Sequence, residues 1–214
     1  MTEAALPEWL TPLADLVHSV AAEDLAPRFP NPPDDARRAA VLMLFSEGPH
    51  GPDVLLTLRA STLRSHAGQI SFPGGSADPD DDHATGTALR EAEEEVGLDP
   101  AEVVVFGELP ILWLPPNNFA VTTVLGYWPS PRDLVPVDTG EVESIFRAPI
   151  AELMDPANRF TIVHPTGYRS PAFDVASGTP LWGFTAGVIS RLFAQLGWEK
   201  PWDESIERPL PELR

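Results

Sequence analysis

Residues 55–98 read LLTLRASTLRSHAGQISFPGGSADPDDDHATGTALREAEEEVGL, and the reading of their last third decides the fold. On a helix advancing about 100° per residue, Ala88, Leu89, Ala92 and Val96 share one arc. That arc predicts an apolar face able to pack on a sheet. Glu91 and Glu95 are an i,i+4 pair with Glu94 on the adjoining row, forming a second arc that starts at the edge of the apolar one. Arg90 stands at its far side, next to Glu94, and Glu93 points to solvent. Gly97 suits a helix C-cap, where φ > 0 is often needed. Gly86 weakens the first turn by about 1 kcal/mol relative to Ala, so the helix is expected to start near residues 85–87. The aspartates between Asp78 and Asp82 are candidates to cap it.

Three carboxylates on one helical strip repel one another. A solvated charged face is one explanation. A divalent-cation site is the other, because Mg²⁺ and Mn²⁺ prefer oxygen ligands and complete a shell of few carboxylates with waters and substrate phosphates. The segment upstream favours the second. It offers Arg59 and Arg64 as phosphate clamps, His66 beside them, and Gly74-Gly75, where no Cβ hinders close approach of a ligand. For Arg59, pairing with a nearby acid is an equal alternative.

Residues 90–98 resemble the second half of the Nudix box, G-x5-E-x7-R-E-U-x-E-E-x-G-U with U aliphatic: Arg90, Glu91, Glu94, Glu95, Gly97 and Leu98 match, and Ala92 is a weak U. The first half departs, with Asp81 at the position of the first acid and a gap to Arg90 one residue longer. Which of Asp80, Asp81 and Asp82 takes that part is therefore open. Residues 55–75 are similar to the additional signature of the coenzyme A pyrophosphatase branch, L-L-T-x-R-[SA]-x3-R-x3-G-x3-F-P-G-G, at every fixed position. The two motifs together cover about a fifth of the chain. The resemblance implies an α+β Nudix fold, a mixed β-sheet sandwiched between α-helices. It implies an enzyme that hydrolyses the pyrophosphate bond of coenzyme A or a derivative with Mg²⁺ or Mn²⁺, giving 3′,5′-ADP and a 4′-phosphopantetheine portion. Glu91 and Glu95 would hold the metal, with Glu94 as a further ligand or as the base. Arg90 would position the carboxylates, and Glu141, from a late loop, would be a base or extra ligand. Arg59, Arg64, His66, Gly74 and Gly75 would meet the substrate. Leu181 to Ala186 is similar to a W-G-x-T-A segment of the same branch.

The rivals are a Nudix hydrolase of another nucleoside diphosphate derivative, such as ADP-ribose or NADH, and a non-catalytic Nudix-like binding module. Such modules tend to lose box carboxylates, which are present here. An isoprenyl diphosphate isomerase needs a catalytic Cys, and the chain has none. The lack of Cys also excludes disulfides and Cys-based zinc sites.

The net charge of −18 disfavours nucleic acid and anionic membranes as partners. It also repels a phosphate-bearing substrate, so a pyrophosphatase of this charge needs cations. No apolar run is long enough to span a membrane, and MTEAALPEWL lacks the pattern of a secretory signal. The expected location is cytoplasmic, the expected partner a small-molecule substrate, and a homodimer is left open. Residues 1–37 read as an N-terminal helical arm, 38–198 as the Nudix domain and 199–214 as a C-terminal tail. Within the domain, strands are predicted at Ala39–Phe45, Val54–Arg59, Ile70–Phe72, Val103–Leu109 and Val121–Tyr127. A hairpin is predicted from Phe160–Val163 and Pro171–Val175, a short helix over Ile150–Leu153, and a last helix over Thr185–Leu196. The loop from Trp113 to Asn118 is expected to border the active site.

Overall fold

A computed structural model describes residues 5–27, 30–63 and 65–211. In chain order the elements are α1 (Thr11–Leu16), α2 (Ala22–Leu25), β1 (Arg37–Gly48), β2 (Gly51–Arg59), β3 (Ile70–Ser71), β4 (Gly74–Ser76), α3 (Ala84–Val96), β5 (Val104–Glu108) and β6 (Leu112–Leu114). They continue with β7 (Phe119–Trp128), β8 (Val142–Pro149), α4 (Ile150–Leu153), β9 (Arg159–Val163), β10 (Arg169–Phe173), α5 (Gly183–Gln195) and β11 (Glu207–Pro209).

The apolar run in β1 has no polar face because both of its faces are covered. Ala40, Leu42 and Leu44 point to one side and pack with Ala88, Ala92 and Val96 of α3. Met43 and Phe45 point to the other and join a cluster containing Ile189, Leu192 and Phe193 of α5. The result is a mixed sheet between helices. Its path is β3-β2-β1-β7-β5, with β4 beside β1, β6 beside β7 and β8 beside β2. The β1–β7 pair is parallel, from Arg37 opposite Phe119 to Ser46 opposite Trp128, and the other pairs of this sheet are antiparallel. A second sheet, β10-β9-β11, contains the expected hairpin and adds the parallel strand β11 from the chain's last segment.

The segment before β1 packs into the same cluster as α5. Leu10 and Leu13 are fully buried there, and Trp9 lies 6.0 Å from the ring of Phe45 and 6.4 Å from that of Trp198. We expect Leu10→Ala to cost about 2–4 kcal/mol, the usual range for a buried Leu truncated without collapse of the cavity. Urea denaturation would show it as a lower midpoint with an unchanged slope.

Two expectations need correction. The helix α3 starts at Ala84, ahead of residues 85–87, because His83 caps it: Gly86 N donates to His83 Nδ1 at 2.9 Å. The aspartates before it do not serve as the cap. Gly74 and Gly75 pair with Val41 and Ala40 of β1.

A carboxylate cluster held by two arginines

The helix α3 ends as its spacing predicts, with Gly97 in the left-handed region at φ 67°. Along it the glutamates reach different depths. Glu93 and Glu94 are exposed, Glu91 is half-buried and Glu95 is buried at 3% exposure. Glu95 reaches the seam between α3 and the sheet. There its Oε2 accepts from Gly74 N at 3.1 Å, and Arg59 Nη1 lies 3.4 Å from Oε1. Burial pushes its carboxyl up to about 7 against those two partners, and the charges of Glu91 and Glu141 push in the same direction. Burial also raises Glu91, against the pull of Arg90 and with the push of Glu94 and Glu141.

Arg90 is the hub. Its Nε and Nη2 donate to Asp81 Oδ1 at 3.2 Å and Oδ2 at 3.0 Å, its Nη2 to Ser76 O at 3.1 Å, and its Nη1 to Glu94 Oε2 at 3.0 Å. Glu91 Oε1 stands 3.2 Å from the same Nη1. Of the three aspartates open as the first acid, Asp81 is the one Arg90 grips on both oxygens. Arg90, the Asp78 N–H and the Thr87 hydroxyl hold the Asp81 carboxyl well below the usual carboxylate range. Such a two-pronged bond is geometrically specific to the guanidinium fork.

The two glycines fit around these acids. A Cβ on Gly75 would lie 2.6 Å from the carboxylate atoms of Glu91. At Gly74, where φ is +150°, a Cβ would lie 2.4 Å from Ala40 O and 2.6 Å from Val41 Cα. Close approach is thus made by the neighbouring strand and by Glu91. The absence of side chains keeps β4 tight on β1 and leaves room for one carboxylate.

Arg59 takes the ion-paired arrangement with Glu95. Arg64 lies outside the described residues. His66, at φ 57°, is held between two amides, Gln69 Oε1 at 2.9 Å from Nδ1 and Asn117 Nδ2 at 2.7 Å from Nε2. A neutral ring with its proton on Nδ1 satisfies both. Asn117 belongs to the 3-10 turn after β6, so the stretch from Trp113 to Asn118 does meet the Arg-containing loop. Glu141 is exposed. Its carbonyl accepts from Ala60 N at 2.8 Å, which ties its loop to the end of β2 beside Arg59.

Among the described residues, no three Asp, Glu or His side chains are gathered closely enough to enclose a metal ion by themselves. Arg90 bridges Asp81, Glu91 and Glu94, and Arg59 pairs with Glu95. The donor set nevertheless fits a hard cation: two carboxylates crowded at the seam, both pushed toward the neutral form, are what a divalent ion would relieve. The sequence reading missed the Ser76 carbonyl, the Thr87 hydroxyl, the Gly74 N–H and the Asn117 amide. The first three are backbone or short polar groups with no pattern of their own.

A strip of carboxylates gripped by one arginine, on a helix packed against a mixed sheet, has the oxygen donors that suit a hard divalent cation. Residues 36–166 match the NUDIX domain family, and the chain belongs to it. It is 37% identical over 187 residues to the uncharacterized Nudix hydrolase NudL of Photorhabdus laumondii, covering 83% of this chain and 98% of that one. It is 40% identical over 167 residues to NudL of Cronobacter sakazakii, covering 77% and 85%. Nudix hydrolase 15, mitochondrial, of Arabidopsis thaliana is 37% identical over 177 residues, and the match spans 77% of this chain but only 60% of the plant protein. In structure, the Nudix hydrolase RenU from M. smegmatis shares the fold at a TM-score of 0.55 and 19% identity, over 79% of this chain and 91% of that one. The protein is thus a hydrolase of pyrophosphate bonds in nucleoside diphosphate derivatives, from a family that generally uses divalent cations such as Mg²⁺ or Mn²⁺. Among the described residues no helix is long and apolar enough to cross a membrane.

Proposed function

We propose that the protein hydrolyses the pyrophosphate bond of coenzyme A or its derivatives, giving 3′,5′-ADP and 4′-phosphopantetheine or its acyl form, in the cytoplasm. One observation carries the reading. Arg59 and Gly74, which belong to the coenzyme A-type signature, both converge on Glu95 of the Nudix box. The signature is therefore part of the same site, and its complete match in residues 55–75 supports the substrate choice.

In this reading Glu91 and Glu95 hold Mg²⁺ or Mn²⁺, with Glu94 as a further ligand or as the base. When bound, the cation supplies neutralisation of the phosphate oxygens and a lowered pKa for the attacking water. Arg90 keeps Asp81, Glu91 and Glu94 in register through its fork, so the carboxylates face the substrate without a search over rotamers. A water oxygen bonds to one phosphorus as the bridging P–O bond breaks. Glu94 or Glu141 accepts the water's proton, and the departing phosphate leaves as a monoester. Arg64 contacts the phosphates, His66 sets the loop against Asn117 beside them, and Gly75 keeps space for Glu91.

The test is product analysis with coenzyme A, ADP-ribose and NADH as separate substrates, each with Mg²⁺ or Mn²⁺, beside Glu94→Gln and Glu141→Gln. Metal-dependent release of 3′,5′-ADP from coenzyme A is expected. The variant whose kcat falls by about 10²-fold or more while metal affinity is kept identifies the base, since general-base removal has that size. Cleavage of ADP-ribose or NADH without cleavage of coenzyme A would keep the family chemistry and overturn the substrate assignment.

A further inference from the structure

A groove of about 440 Å³ lies away from the acid cluster, between β6, α5 and the β9–β10 sheet. Its volume is in the range of small-molecule sites. Trp113, Leu114, Phe184, Val188 and Trp202 give it apolar walls, and Thr161, Ser170 and Ser190 add hydroxyls. Four charged residues border it: Glu199 pairs with Arg159 at 2.8 Å and Arg169 with Glu207, and Arg191 and Glu204 complete the border. Gly183 and Gly187 of α5 line it, and a Cβ at either would meet nothing within 4 Å. Gly187 therefore fills no packing role. It leaves the groove open.

One stretch of chain links the groove to the loop that carries His66. The groove wall runs along Trp113, Leu114 and Pro115. Two residues further on, the Asn117 amide donates to His66 of the Arg-containing loop at 2.7 Å, and Arg37 Nη2 fixes the Asn117 carbonyl at 2.9 Å. We propose that this groove binds the uncharged amide-bearing arm of the substrate, together with any acyl chain on its sulfur, a proposal that rests on the coenzyme A reading. The phosphate end of such a substrate is attracted through cations. The arm carries no charge, so its binding must come from apolar burial plus hydrogen bonds to its amides. Aromatic and aliphatic walls supply the burial; Thr161 already donates to the Glu204 carbonyl at 2.8 Å and Ser190 accepts from Arg159 at 2.7 Å, so the hydrogen bonds to the arm fall to Ser170 and to the Ser190 O–H.

The variant to make is Gly187→Leu. It fills open space, and Leu is a better helix former than Gly, so the fold should persist. Phe184→Ala, which removes a wall instead of filling the groove, is its companion. Steady-state kinetics with coenzyme A and hexanoyl-coenzyme A, and tryptophan fluorescence on adding pantetheine, are the readouts. Trp113 and Trp202 report the groove directly. In the wild type, hexanoyl-coenzyme A should show the lower KM, and pantetheine should change the fluorescence saturably. Gly187→Leu should raise KM for both substrates by about tenfold with little change in kcat, the pattern of lost uniform binding, and should abolish the pantetheine signal. Phe184→Ala should raise KM for the hexanoyl form more than for coenzyme A. Unchanged KM values in both variants, in a protein that cleaves coenzyme A, would overturn the groove assignment and leave the function standing. If coenzyme A is not cleaved at all, the function reading falls. Pantetheine fluorescence then decides the groove alone, and no saturable change in the wild type overturns it.

Discussion

Gly75→Ala is expected to stay folded and lose about 10²-fold or more in turnover, whereas Gly74→Ala is expected to lose about 3 kcal/mol or more of stability. The two glycines are neighbours in one short strand, yet an added methyl meets different things. At Gly75 it meets the end of the Glu91 side chain, 2.6 Å away. A glutamate side chain swings aside at small cost, so stability should change by about 1 kcal/mol or less. Displacing Glu91, however, removes a proposed metal ligand from its place, and misplacement by about 1 Å at such a site can cost about 10²-fold. At Gly74 the methyl meets the Ala40 carbonyl at 2.4 Å and Val41 Cα at 2.6 Å, at a φ of +150° that L-residues avoid. That backbone belongs to β1, which is locked to β7 along ten register pairs. With nothing able to move, overpacking and backbone strain together should cost about 3 kcal/mol or more. Urea midpoints and metal-saturated turnover, measured on both variants, check the split. Full activity in Gly75→Ala would show that Glu91 need not stand where Gly75 leaves room for it.

The fold was legible where periodicity was strong. The run Ala39–Phe45 announces a strand buried on both faces, and Ala88, Ala92 and Val96 announce the helix that covers one of them. The strands β6 and β11, three residues each, leave no periodic signal. They exist because β7 and β9 offer them an edge. The site was legible as a set of residue types on one helix strip. Its depth was not. Helical spacing puts Glu91, Glu94 and Glu95 on one arc, but Glu95 is buried because Gly74 and Arg59, 21 and 36 residues before it, converge on it. The choice of Asp81 over Asp80 and Asp82 likewise follows from where Arg90 can reach with both prongs. Long-range pairings of this kind have no local pattern in a single sequence.

Glu95→Gln should make the metal-free protein more stable at pH 8 and at the same time remove nearly all turnover. The Glu95 carboxyl is raised from its ordinary value of 4.5 to about 7 in the folded protein. The folded state therefore holds a proton that the unfolded chain has lost between those values, and stability falls as pH rises through that window. The associated stability is fully present below about 4.5 and gone above about 7. Its size is on the order of 3 kcal/mol, since a tenfold change in proton affinity is worth about 1.4 kcal/mol. Gln carries no charge to bury, and its carbonyl can still accept the Gly74 N–H. The Arg59 contact that it forfeits ranks below burial among the influences on Glu95. The stability difference between variant and wild type should thus widen from pH 5 to pH 8 in thermal or urea denaturation without divalent ions. Adding Mg²⁺ or Mn²⁺ at pH 8 should reverse the order: a cation that binds only the folded state stabilises it by mass action, and the wild type, with its carboxylate intact, should gain more. A variant that is less stable than the wild type at pH 8 without metal would mean that Glu95 is already neutralised by Arg59 and Gly74. The seam would then be an ordinary structural ion pair with no charge waiting for a cation.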